Sequence, residues 1–451
     1  MSTDGRWQPY PAYKDSGVEW LGEIPAQWDI ARLKHVARLE YGDSLPKDSR
    51  KAGDVPVFGS NGAVGSHSRP NTLAPVLIIG RKGSFGKVNF STQPVFAIDT
   101  TYYIDSRNTR AGLRWLFYAL QLLRLDAFTQ DSAVPGLSRE FAYEQWLPLV
   151  TPSDQCNIAA FLDRETAKID ALMAKQERLI ELLQEKRAAL ISHAVTKGLD
   201  PTVPMKDSGI SWLGEIPAHW EVVQTRHIAE SLQTGPFGSQ LHASDYSTGG
   251  VPVINPSHMQ NGRIEPDWDV AVDEKTARRL ARHRLRAGDI VFARRGDLGR
   301  CAVATRGEEG WLCGTGSLRM RPNLDLAHPS YLNQVLSTSG IAEWLLLQSV
   351  GSTMDNLNTA ILSRLPLPVP PLVEQCAIAA QLNQEAAKLD VLIAKAREMI
   401  KRLQEYRTAL ISAAVTGKID VRDDQVQRTS EVRCTSCTSC TSGGDGAGQK
   451  A

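Results

Sequence analysis

Two stretches of this chain are written twice. Lys14–Trp28 reads KDSGVEWLGEIPAQW and Lys206–Trp220 reads KDSGISWLGEIPAHW, identical at twelve of fifteen positions at an offset of 192 (206 − 14). Gln155–Thr196 and Gln375–Thr416 match at 25 of 42 positions at an offset of 220 (375 − 155). The order is therefore A–x–B–A′–y–B′, with x and y divergent and y 28 residues longer (220 − 192). A period this long means duplication of a domain rather than a solenoid of short repeats. The alternative, pseudo-symmetry with no functional content, does not explain why x and y diverge so much further than A and B.

Block B has the period of a long helix. Leu162, Ile169, Leu183 and Leu190 recur every seven residues, with Leu172 and Leu179 three residues after a heptad position. In B′ the same slots hold Leu382, Leu389, Leu403 and Leu410, with Leu392 and Met399. Neither stretch contains Gly or Pro, and Gly198 and Gly417 stop them. About 42 residues at ~1.5 Å each make a rod of roughly 60 Å. A seam this narrow needs a partner helix, and the other copy supplies one. The spacing predicts an antiparallel coiled coil between B and B′; the alternative is two helices packed separately on their own globules.

Segments x and y read as mixed α/β globules. Val76–Ile79, Val95–Ile98, Asp289–Phe292 and Cys301–Ala304 are short apolar runs expected as strands. Leu113–Phe128 and Tyr331–Gln348 are expected as helices. Both segments carry one device, Arg81-Lys-Gly-Ser-Phe-Gly86 and Arg294-Arg-Gly-Asp-Leu-Gly299: two cations and a pair of glycines between two strands.

Composition fits a globular, multidomain, cytoplasmic protein. Lys+Arg is 51 against Asp+Glu 50, so the chain is no uniformly basic binder, and any basic face must be local. No run of 18 apolar residues marks a membrane span, no secretory leader is visible, and seven cysteines make no disulfide scaffold. Local charge is present. From Lys275 to Arg300 nine cations stand against Asp289 and Asp297. Arginine suits phosphate oxygens and guanine edges, so Arg278, Arg282, Arg294, Arg295 and Arg300, with Arg81, Lys82 and Lys87 of the first half, are the candidate DNA-binding residues. The bland reading of Arg278–Arg286 is a solvated helix face.

Catalytic motifs are missing. Gly80–Lys87 has five residues between Gly80 and Gly86 and Val88 in place of the Ser/Thr of a phosphate loop. Gly314-Thr-Gly316 lacks a third glycine. There is no His-Glu-x-x-His, no Gly-x-Ser-x-Gly and no Asn/Asp-Pro-Pro-aromatic tetrapeptide. Cys434, Cys437 and Cys440 are one ligand short of a zinc site and lie in a Cys-Thr-Ser repeat, so no metal site is expected. Cys156 and Cys376 read as small packing residues at the starts of B and B′.

The block WLGEIPxxW ahead of each globule, the RKGSFG and RRGDLG turns, the exit Leu365-Pro-Leu-Pro-Val-Pro-Pro371 and the helix start Glu374-Gln-Cys resemble the specificity subunit of Type I restriction–modification systems over about residues 7–420. The resemblance implies target recognition domains at 1–150 and 201–370, spacer helices at 151–200 and 371–420, and a disordered tail at 421–451. It implies a non-catalytic, DNA-binding chain that reads a bipartite asymmetric target in double-stranded DNA. Two methyltransferase subunits, and restriction subunits if the system has them, are the implied partners. S-adenosylmethionine, ATP and Mg would then sit on those partners, with no cofactor in this chain and no membrane. The Cys-Thr-Ser tail departs from the family pattern. A self-contained reader of a nuclease and a coiled-coil scaffold that binds no nucleic acid are the competing functions.

Overall fold

The computed structural model describes residues 7–126, 136–260, 262–296, 298–349 and 357–422. The cysteines at 434, 437 and 440, Asp297, and the end of the tail lie outside them. The chain divides into two compact units, residues 1–175 with 398–451 and residues 176–397.

In the first unit a four-stranded antiparallel sheet has the order Glu40–Tyr41, Thr101–Ile104, Val76–Gly80, Val88–Ser91. Val76–Gly80 is buried along its whole length, as expected for a continuous apolar run at the centre of a sheet. The helix Leu113–Leu122 buries Trp115, Leu116, Tyr118 and Leu120 in the same core. Val55–Gly59 pairs antiparallel with Gly62–His67 and parallel with Phe96–Ala97.

The second unit repeats this order although its sequence differs. Ala229–Thr234, Ser317–Pro322, Ile290–Ala293 and Cys301–Val303 form its antiparallel sheet. Val251–Ile254 pairs parallel with Leu312–Cys313. The helix expected over Tyr331–Gln348 is two, Pro329–Leu336 and Ser339–Ser349. The break falls where Ser337 and Thr338 turn their hydroxyls onto the carbonyls of Gln334 and Val335. The first-half helix ends at Leu122 rather than Phe128.

The repeated block A is a small two-stranded turn. Tyr13–Asp15 pairs with Glu23–Pro25, and Met205–Asp207 with Glu215–Pro217, in the same register. Asp15 and Asp207 each accept the N–H of the glycine two residues on. Leu21, Ile24 and Trp28, like Leu213, Ile216 and Trp220, are buried.

The long helices run Pro152–Lys197 and Leu372–Val415. In the second unit Glu374 faces Gly198 and Asp390 pairs with Arg187 at 2.7 Å, so the helices are antiparallel. In the first unit Asp170 pairs with Arg407 at 3.0 Å. The two ion pairs are equivalent under the repeat, since 390 − 170 and 407 − 187 both equal 220.

The seam itself differs from the expected one. Leu162, Ile169, Leu183, Leu190, Leu382, Leu389, Leu403 and Leu410 are buried or half-buried. Leu172, Leu179, Leu392 and Met399 are 42–48 % exposed and are not seam residues. Their places are taken by the next residues along, Met173, Ile180, Ile393 and Ile400. The apolar line thus alternates steps of four and three in the opposite phase. Apolar residues stand on both flanks of the heptad line, Leu172 and Leu179 on one and Met173 and Ile180 on the other, so the heptad pattern alone does not decide between them.

Candidate nucleic-acid interface

The glycine turns are built alike in the two units. Gly83 and Gly86, and Gly296 and Gly299, hold positive φ. The Arg81 N–H donates to the Thr100 carbonyl at 2.8 Å and the Arg294 N–H to the Gly316 carbonyl at 2.9 Å. The Arg81 carbonyl accepts from Leu137 N–H, and that of Arg294 from Leu357 N–H. Backbone bonds on both sides therefore fix each turn, and the side chains are left to do something else.

Those side chains have different fates. Arg81 is half-buried, donates through Nε and Nη2 to the Asp99 carbonyl, and lies 5.2 Å above the Tyr41 ring. Arg294 is also half-buried and donates to the Leu357 carbonyl at 3.2 Å; burial, then the neighbouring Arg295, pushes its pKa down. Both first arginines thus brace the turn. The second cations, Lys82 and Arg295, are exposed, and no carboxylate lies within ion-pair distance of either among the described residues. Lys87 is exposed and donates to the side chain and carbonyl of Asn61. Arg300 is exposed, 3.4 Å from the Pro256 carbonyl.

The basic run before the second turn is less free than its sequence. Arg278 and Arg284 both pair with Glu274, at 3.4 and 2.8 Å, and Arg279 pairs with Asp245 at 3.2 Å. Both acids lie outside the 275–300 window, which is why the window overstates the charge. Arg282 is exposed and meets the His283 ring at 3.0 Å.

Sequence reasoning missed what holds this run in place. Arg319 donates to the carbonyls of Arg282 and Arg284, at 3.2 and 3.0 Å. Arg321 pairs with Asp289 at 2.7 Å, and Asp289 accepts the Arg286 N–H. Burial lowers the Arg319 pKa, and burial with Arg282 and Arg319 pushes His283 down to about 4. The signal was two arginines two apart in the apolar strand Ser317–Pro322, which puts them on one face.

No group of three or more metal-binding side chains occurs among the described residues. Burial pushes the thiols of Cys301 and Cys313 up to about 12, far from thiolate chemistry. No described helix is long and apolar enough to cross a membrane.

The model of the Type I restriction modification DNA specificity domain matches residues 25–182 and again 217–402. The chain belongs to this family. The matched stretches fall one on each repeat, so the duplication is a duplication of the specificity domain. A relative of this family, the Type I restriction enzyme EcoBI specificity subunit of Escherichia coli, is 22% identical over 76% of this chain and 73% of its own length. The EcoDI specificity subunit of the same species is 21% identical over 88% of this chain and 90% of its own. A solved chain from a study of complex assembly and conformational transition of the type I R-M system shares the fold. Its TM-score is 0.58 at 16% identity, over 88% of this chain and 99% of that one.

Proposed function

We propose that this specificity-family chain reads a bipartite, asymmetric site in duplex DNA and directs partner chains to it. Each unit reads one half. One observation carries the reading: two units of the same strand order present, at the same strand ends, a braced glycine turn with an exposed cation that no acid neutralises among the described residues. Phosphate contacts from Lys82, Lys87, Arg295 and Arg300 supply affinity, and divergent neighbouring loops supply sequence choice. Arg278 and Arg282 are weaker contributors, since the first shares Glu274 and the second abuts an imidazole.

The chain performs no catalysis in this reading. Adenine methyltransferase partners carry S-adenosylmethionine, and restriction partners, where the system has them, carry ATP and Mg. The exposed Leu172, Leu179, Leu392 and Met399 on the long helices are then surfaces for partner chains. The test is to express the chain with its neighbouring methyltransferase and map methylated bases genome-wide. A motif of two short half-sites around an unread spacer is expected. Absence of methylation dependent on this chain sinks the reading. DNA cleavage by the pure chain with Mg would favour the nuclease alternative, and lack of salt-dependent DNA binding the scaffold.

A further inference from the structure

We propose that Phe237 makes an apolar contact with DNA bases and is a specificity-determining residue of the half-site read by the second unit; this rests on the DNA-reading function above. Phe237 is 56% exposed, in the loop Gly235-Pro236-Phe237-Gly238 after the strand Ala229–Thr234. Its mount is rigid. The Gly235 N–H donates to the Ser317 carbonyl at 3.0 Å, and a Cβ on Gly235 would collide with the Gly314 carbonyl oxygen, so only glycine fits. Pro236 is buried and its ring fixes φ. The Phe237 carbonyl accepts from the Gln240 N–H at 3.2 Å, and the Gln240 carbonyl from Arg279 at 2.7 Å. A buried backbone thus holds an apolar ring out in water.

Its neighbour decides the partner. Gly235 hangs from Ser317 and Arg294 from Gly316, so the Phe237 loop and the cationic turn are anchored on adjacent residues. An exposed ring on a loop anchored next to the turn that carries the exposed Arg295 suits a polyanion with stackable bases. The guanidinium takes a phosphate, and the ring takes a base face or a thymine methyl. The first unit repeats the anchoring but not the ring's place, since its exposed aromatic stands before the glycine rather than two residues after it. Gly42 N–H donates to Thr101, Arg81 N–H to Thr100, and the preceding Tyr41 is 45% exposed. There Arg81 and Arg139 cover the ring, at 5.2 and 5.0 Å. No cation lies over the Phe237 ring among the described residues, so its face stays open to a base.

The experiment uses the full chain with its methyltransferase partner and a duplex bearing the methylated site mapped for that complex. Phe237→Ala should bind roughly ten-fold more weakly, with an unchanged salt slope, because a base contact releases no counterions. Its methylated motif should relax at one half-site only, and Phe237→Trp should restore affinity. Wild-type affinity and an unchanged motif for Phe237→Ala would overturn the proposal, as would a reduced salt slope or relaxation in the other half-site. A wild-type complex with no bipartite motif fails the DNA-reading function itself, and this proposal with it.

Discussion

At the scale of single residues, two adjacent arginines divide the labour of one turn. Arg294 commits its guanidinium to the Leu357 carbonyl, and Arg295 is left to solvent. Arg295→Ala should therefore lower the slope of log affinity against log salt by about one unit with no change in thermal stability. Arg294→Ala should lower the melting temperature and weaken binding only through the turn. Equal salt slopes for the two variants, measured by titration at several salt concentrations, would contradict this division. His283 makes a second prediction. Its folded pKa of about 4 lies below its ordinary 6.5, so the unfolded chain binds the extra proton first. Stability present above pH 6.5 is lost as pH falls through 6.5 toward 4. His283→Asn should flatten the fall in melting temperature over that window, and an unchanged slope would remove His283 as its cause.

At the scale of elements, the long helices show how little a heptad says about which flank is inside. Ile180 faces the seam and Leu179 faces out. Ile180→Ala should cost about 1–3 kcal/mol, less than a full core deletion because the site is half-buried. Leu179→Ala should cost well under about 1 kcal/mol. Urea melts of the two variants check the phase, and the reverse ranking would restore the pattern read from sequence. The helix ends explain the repeated blocks. Gly198 packs on Trp220 and Pro217 in the second unit, and Gly417 on Trp28 and Pro25 in the first. Each long helix thus ends against the tryptophan of a block A. The Trp220 indole donates to Glu374 at 3.1 Å, whereas no acceptor meets the Trp28 indole among the described residues.

At the scale of the whole molecule, both units draw on both helices, since each helix changes unit part-way along. If the helices set the distance between readers, their length sets the unread spacer in the DNA. Seven residues inserted after Glu181 and seven before Ala396, positions opposite in the register of Arg187 with Asp390, keep the heptad phase. They add ~10.5 Å of helix, or about three base pairs at ~3.4 Å each. The methylated motif should keep its half-sites and gain about three base pairs of spacer. A spacer of unchanged length, or altered half-site bases, would show that the helices do not act as a ruler.

The duplication, the long helices and the glycine turns were legible in the sequence because each is written in local terms: identity at a fixed offset, a seven-residue period, glycines where φ must be positive. The family followed from the same blocks. The phase of the seam was not legible, because both flanks of each helix offer apolar residues and only the facing helix selects one. The free charge was not legible either. Glu274 and Asp245 reach arginines from outside the basic run, and Arg319 grips the carbonyls of Arg282 and Arg284 from a strand tens of residues away. Tertiary structure alone decided which cations stay exposed and where Phe237 stands, because both depend on groups brought together across long stretches of chain.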